Sequence, residues 1–256
     1  GIEFLTIRKE NNIMRKKSIS IVFWIALAIC TLFVVYGAIL PKQLEAITQN
    51  ITSFIAVNFS WYYLLLVLII FFICVYLLFS RYASITLGVE GEEPEFSLLS
   101  WFAMLFSAGM GIGLVFWTTA EPVSHAYKAT PIHKIGTQAA INDAFQFAFF
   151  HWGIHAWAVY SIVALVFAYF NFHKGYPGLV SATLVPIFGE KRMRGPIGSA
   201  IDVLAVIATV TGVAATLGFG ALQINEGLHY LFKVPSHFGT QVIIIIIATI
   251  LFSWSA

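Results

Sequence analysis

Charge is scarce in this sequence. Lysine, arginine, aspartate and glutamate make up 10% of its 256 residues, whereas a soluble domain carries about 25%. That shortage excludes an ordinary water-facing globule. The net charge is only +2 and no long basic run occurs, so nothing points to nucleic acid. Cysteine is rarer still. Cys30 and Cys74 both fall inside apolar runs and read as small buried hydrophobes rather than as a disulfide or a metal pair. What the chain has in abundance is apolar and aromatic surface: 59% hydrophobic residues and 16% aromatics, with a mean hydropathy of +0.87. Most of it is expected to lie in lipid.

Six apolar runs are long enough to cross a bilayer as helices: 19–40, about 61–79, 98–120, 139–170, 197–222 and 238–256. The first is too long for the apolar core of a signal peptide and lacks a small-residue cleavage site. The fourth is so long that it must tilt or project. Between the fourth and fifth, 178–188 is apolar but short, with Pro177 and Pro186 near its ends, and reads as an interfacial segment. Residues 88–95 form an acidic connector. The start Met14-Arg15-Lys16-Lys17 resembles a natural beginning, which makes 1–13 an upstream extension and 1–17 a cytoplasmic segment. With the N-terminus inside, ten lysines and arginines face the cytoplasm and four face out, as the positive-inside rule requires. Residues 18–97 then form two peripheral helices and a connector, and 98–256 a repeat left incomplete. The last apolar run ends at Trp254-Ser255-Ala256 without a polar tail, and the chain reads as a truncated carrier.

The third run contains Ser107-Ala108-Gly109-Met110-Gly111-Ile112-Gly113. Three alternate glycines strip a helix of side chains and invite it to unwind. Unwound backbone at membrane depth survives only where protein or a watery cavity surrounds it, and it marks the ion or substrate site of many carriers. Close helix packing through small residues is the alternative.

The fourth run carries His151-Trp152-Gly153-Ile154-His155-Ala156-Trp157-Ala158-Val159-Tyr160. On a continuous helix at about 100° per residue, Trp152, Trp157 and Tyr160 share an arc of roughly 140°. Three rings on one face can wall a cage for a quaternary ammonium ion; an interfacial belt or plain packing is the other reading. His151 and His155, at i and i+4, have the spacing of a metal pair, although a satisfied histidine pair is commoner. The fifth run offers Thr209, Thr211 and Thr216 as hydroxyls for an ion or for bonds to the preceding turn. Asp143 and Asp202 read as helix-start charges facing the dipole, without a relay role.

Together these motifs, with Glu121-Pro122 and Thr216-Leu217-Gly218-x-Gly220-Ala221-Leu222-Gln223, resemble the betaine/choline/carnitine transporter (BCCT) family. The resemblance runs from about residue 20 to the end. It implies an all-α integral membrane protein with the leucine-transporter-like inverted-repeat fold, here truncated to about six transmembrane helices with a broken third helix. It implies a multi-pass protein of the cytoplasmic membrane, no enzyme, that imports a quaternary-ammonium compatible solute, chiefly glycine betaine, by sodium symport for osmoprotection. A homotrimer is common in the family.

Carried over by motif, Trp152, Trp157 and Tyr160 supply one wall of the aromatic box, while Ala108, Met110, Gly111 and Gly113 line the substrate path. Backbone carbonyls of Ser107 and Met110 hold one sodium, and Thr209 marks a second sodium site. Val213 stands where that site has a second threonine, which puts it in doubt. Gly113 stands where proton-coupled choline carriers tend to have Asp, favouring sodium and a zwitterion. No cofactor is implied beyond the coupling ion. Rival readings are choline, carnitine, proline betaine, ectoine or dimethylsulfoniopropionate as substrate, an intramembrane metal enzyme using His151 and His155, and a sensor or channel subunit.

Overall fold

The structure, a computed structural model, describes residues 20–255 other than 89, 90, 92, 110 and 131, with Ala108, Gly109, Ile112 and Ser255 described by backbone alone. The basic start at 14–17, the residues before it, part of the acidic connector and Met110 lie outside that description. Every element among the described residues is helical. In lipid a segment must satisfy its own backbone, and a helix does so without a partner strand.

Helix α1 covers Ile21–Ile39. Ser20 starts it by accepting the Val22 N–H on its hydroxyl at 3.2 Å, which satisfies one of the donors a helix start leaves open. After Leu40 the chain enters α2, Pro41–Phe79. Proline suits a first turn, where its missing N–H has no intrahelical partner anyway. At 39 residues and 1.5 Å each, α2 is about 58 Å long, nearly twice the hydrocarbon thickness of a bilayer. The expected run at 61–79 is therefore only its apolar half. No glycine or proline interrupts 42–79, so the helix continues through the polar half that hydropathy leaves out.

The third expected helix is broken. Helix α3 covers Leu98–Gly109 and α4 covers Ile112–Tyr127. Gly111 between them is extended, with φ −68° and ψ 175°. Helix α4 also runs through Pro122, beyond the apolar limit at 120.

The fourth is not one rod either, contrary to the reading of 139–170 as a continuous helix. Helix α5 covers Gln138–Trp152 and α6 covers Ile154–Ala168, separated by an extended Gly153. A Cβ at Gly153 would stand 2.4 Å from the Phe149 carbonyl oxygen. No real side chain tolerates that distance, so the break needs glycine. After α6 the chain widens through Tyr169–His173, where the Lys174 N–H reaches back five residues to the Tyr169 carbonyl at 3.0 Å.

The short apolar stretch at 178–188 holds two single-turn helices, α7 (Val180–Thr183) and α8 (Val185–Phe188), followed by α9 (Glu190–Met193). Long helix α10 covers Pro196–Phe232, and α11 covers Phe238–Ser255. Among the described residues, four stretches are long and apolar enough to cross a membrane: Ile21–Ile39, Pro41–Phe79, Gln138–His173 and Pro196–Phe232. Apolar parts of α3 and α11 are shorter. In the four long stretches at most 11% of the most apolar window is buried. Apolar side chains thus point outward, the reverse of a water-soluble core.

The chain divides into two compact units, Gly1–Ser53 with Leu179–Ala208 and Phe54–Gly178 with Thr209–Ala256. In the first, Asp202 is 6% exposed. Its carboxylate accepts the Ser181 N–H at 2.9 Å and the Ser181 hydroxyl at 2.6 Å. It lies too far along α10 to serve that helix's own dipole, which fades within the first turn; it holds α7 instead. In the second unit, Asp143 accepts the His133 N–H at 3.2 Å and its Nδ1–H at 2.6 Å, tying the preceding loop to α5. Helix α4 packs along α5. Phe116 on α4 stacks on Phe219 of α10, with centroids 5.0 Å apart at 21°.

Candidate functional site

Two helix breaks dominate the second unit. At the first, Ser107 lies in the last turn of α3, where helix carbonyls run out of intrahelical donors. Gly111 starts α4 without a side-chain cap. A Cβ added at Gly111 or Gly113 would meet nothing within 4 Å, so close helix packing is not what these two glycines serve among the described residues. Of the other expected residues here, Met110 and the Ala108 side chain fall outside the description.

At the second break, Trp152 ends α5 and Trp157 lies in the first turn of α6. The extended Gly153 cancels the uniform 100° step on which the shared arc of three rings rested. The rings are organised otherwise. The Trp157 Nε1–H donates to the Trp152 carbonyl oxygen at 3.1 Å, capturing an acceptor released by the helix end. Trp157 and Tyr160 meet edge to face, with centroids 5.9 Å apart at 68°. This pair geometry suits the ring quadrupoles. The Trp152 Nε1–H donates to Glu121 Oε2 at 2.7 Å. All three rings keep substantial exposure: 37% for Trp152, 44% for Trp157 and 56% for Tyr160.

Glu121 entered the sequence reading only within the Glu121-Pro122 motif, without a role of its own. Its side chain is 12% exposed and it sits nearly two turns before the end of α4. Besides Trp152, it accepts the His151 Nδ1–H and, at 3.3 Å, the His125 Nε2–H, both on Oε1. Three donors on one carboxylate compensate the cost of burying a charge. The available signal was an acid at the edge of an apolar run, a position where ionisable groups are expensive and usually functional.

Glu121, His125 and His151 bring one ligand atom each within 4.8 Å of one another, a donor set that suits a transition metal. Both carboxylate oxygens already receive N–H donors, which accounts for the cluster without an ion. The rival reading of His151 and His155 as a metal pair finds no such pair here. Gly153 lies between them, and the His155 ring packs on Phe150 and Phe71, at 5.1 and 5.9 Å.

Thr209 and Val213 lie on α10, both exposed, and Thr209 has an interaction of its own. On the same helix the Thr216 hydroxyl donates back to the Gly212 carbonyl at 3.0 Å, the common fate of a helical threonine. Cys30 and Cys74 are unpaired and half-buried. The Cys74 thiol donates a weak hydrogen bond to the Ala158 carbonyl at 3.6 Å, tying α2 to α6.

Comparison with known proteins adds a lineage to this geometry. Residues 21–256 match the model of the BCCT, betaine/carnitine/choline family transporter. The glycine betaine transporter OpuD of Bacillus subtilis is 55% identical over 240 residues, covering 94% of this chain and 47% of that protein. The ectoine/hydroxyectoine transporter of Virgibacillus pantothenticus is 42% identical over 224 residues, 87% of this chain and 44% of its own length. The osmo-dependent choline transporter BetT2 of Acinetobacter baylyi is 37% identical over 231 residues, 90% of this chain and 33% of its own. The chain thus spans less than half the length of these curated relatives.

Proposed function

Because the chain belongs to the betaine/carnitine/choline family of transporters, we propose that it serves a secondary carrier that imports a quaternary-ammonium compatible solute, glycine betaine first. The family and the curated relatives are transporters rather than enzymes, and the apolar helices belong to a multi-pass membrane protein. The N-terminus lies in the cytoplasm, the carrier resides in the cytoplasmic membrane, and its task is osmoprotection.

The observation that carries the substrate class is the state of the two indoles. The N–H of Trp152 is taken by Glu121 and that of Trp157 by the Trp152 carbonyl. What these side chains still offer is ring face. A quaternary ammonium group has no N–H with which to seek an acceptor, and its delocalised charge is attracted by ring faces. Each face contributes about 0.5–2 kcal/mol when water is excluded. Primary amines gain less from such a wall.

Sodium coupling follows from charge balance. Gly113 places no fixed negative charge at the broken helix, so a zwitterion with its own carboxylate suits the site and a cation enters separately. Ser107 and Met110 carbonyls at the α3 end are the proposed holders of one sodium, with Ala108 and Met110 facing substrate. Thr209 is the proposed start of a second sodium site, to which Val213 adds no hydroxyl. Alternating access closes the Gly109–Gly113 break around substrate and ion, and the assembled carrier is a homotrimer. Choline is the second reading, favoured by the choline relative.

Tryptophan fluorescence of the purified protein tests the substrate class. Glycine betaine should change emission in a saturable way, while glycine, which lacks the three methyl groups, should not at the same concentration. Equal responses to both would contradict the proposal.

A further inference from the structure

Glu121 is nearly buried, charged, and bonded to the one edge of Trp152 that carries a donor. An indole at a helix end has two rotatable bonds, and Trp152 has lost the helical neighbours that would fix it on one side because α5 stops there. Without an acceptor its N–H would turn toward whatever acceptor is nearest, including the carboxylate of a zwitterionic substrate. Glu121 removes that option. His151 and His125, both donating to the other carboxylate oxygen, hold the carboxylate itself in place across the α4–α5 pair.

We infer that Glu121 is a positioning residue of the aromatic site: by accepting the Trp152 Nε1–H it fixes the indole so that the ring face, not the N–H edge, meets the ammonium group. This inference rests on the aromatic-site reading above and names the device that orients one of its walls. Glu121 touches no substrate and acts through Trp152.

The test is a double-mutant cycle in cells lacking their own osmolyte carriers, expressing the gene that encodes this chain. KM and maximal uptake of labelled glycine betaine are measured per molecule of inserted protein. Glu121→Ala should raise KM about tenfold, the effect expected from losing a hydrogen bond to a charged acceptor. Glu121→Gln keeps an oxygen acceptor for the indole and should stay within about threefold. Trp152→Phe, which has a ring but no N–H, should raise KM by itself, and adding Glu121→Ala to it should change KM less than about twofold. An unchanged KM in Glu121→Ala, or the same tenfold rise on the Trp152→Phe background, would overturn the inference. A purely architectural clamp would lower the amount of inserted protein without that dependence on Trp152.

If the unmodified protein transports no betaine, the substrate reading has failed and the inference is read separately. Ultraviolet resonance Raman of the purified protein, as wild type minus Trp152→Phe, isolates the indole band that reports N–H bonding. Glu121→Ala should shift that band toward the free indole. A band that stays put would refute the positioning role whatever the substrate.

Discussion

The Trp157 indole N–H donates to the Trp152 carbonyl oxygen at 3.1 Å across the extended residue Gly153. The second tryptophan thus caps the helix that the first one ends. The site's architecture and its aromatic surface are the same atoms, so a change at the break moves the rings.

Gly153→Ala is the sharpest case. Its Cβ would be driven into the Phe149 carbonyl at 2.4 Å, and backbone must shift. The expected cost is about 1–3 kcal/mol of stability, seen as a lower midpoint in thermal unfolding of detergent-solubilised protein, with uptake reduced more than tenfold. Wild-type stability and uptake would show that the break is dispensable.

Gly111→Leu has the opposite profile. Space is open around its Cβ position, so the variant should insert and unfold like wild type while uptake is abolished, because the side chain fills the proposed substrate path. Normal uptake by Gly111→Leu would remove the α3–α4 break from the transport path.

Gly113→Asp tests charge balance. A fixed carboxylate at that position should weaken uptake of betaine, admit choline and reduce the dependence on sodium, since the protein now supplies the charge that sodium and a zwitterion together avoid needing. Competition assays with sodium and with potassium read this directly. Unaltered preference and unaltered sodium dependence would contradict the argument from Gly113.

Asp202→Ala addresses the other unit. Ser181 would lose the acceptor for both its N–H and its hydroxyl in a buried setting, at a cost of about 1–3 kcal/mol. Limited proteolysis should then cut more readily at 179–193, with Asp202→Asn intermediate. Equal cleavage rates in wild type and Asp202→Ala would show that α7 is held by other means.

Much of this was legible in the residues, and the exceptions share a cause. Apolar runs marked where helices meet lipid, and alternate glycines marked the α3–α4 break, because both are local properties of the chain. The polar half of α2 escaped notice because hydropathy measures solvent, not helix; only the absence of glycine and proline between 42 and 79 carried that information. The residues showed only that a glycine stands at 153; the close approach of the Phe149 carbonyl that requires it appears only once the chain has turned. His151 and His155 looked paired by spacing, but the break at Gly153 sends one to Glu121 and the other to Phe150 and Phe71. Glu121 was visible as an acid at a span's edge, while its three donors come from 4 to 31 residues away. Long-range pairing of that kind leaves no local pattern.

The most direct measurement is uptake of labelled glycine betaine by cells that lack their own osmolyte carriers and express the gene encoding this chain, in sodium and with potassium in its place. The account predicts accumulation that needs sodium and is competed by betaine more strongly than by choline. Uptake indifferent to sodium, or competed better by choline, would contradict it.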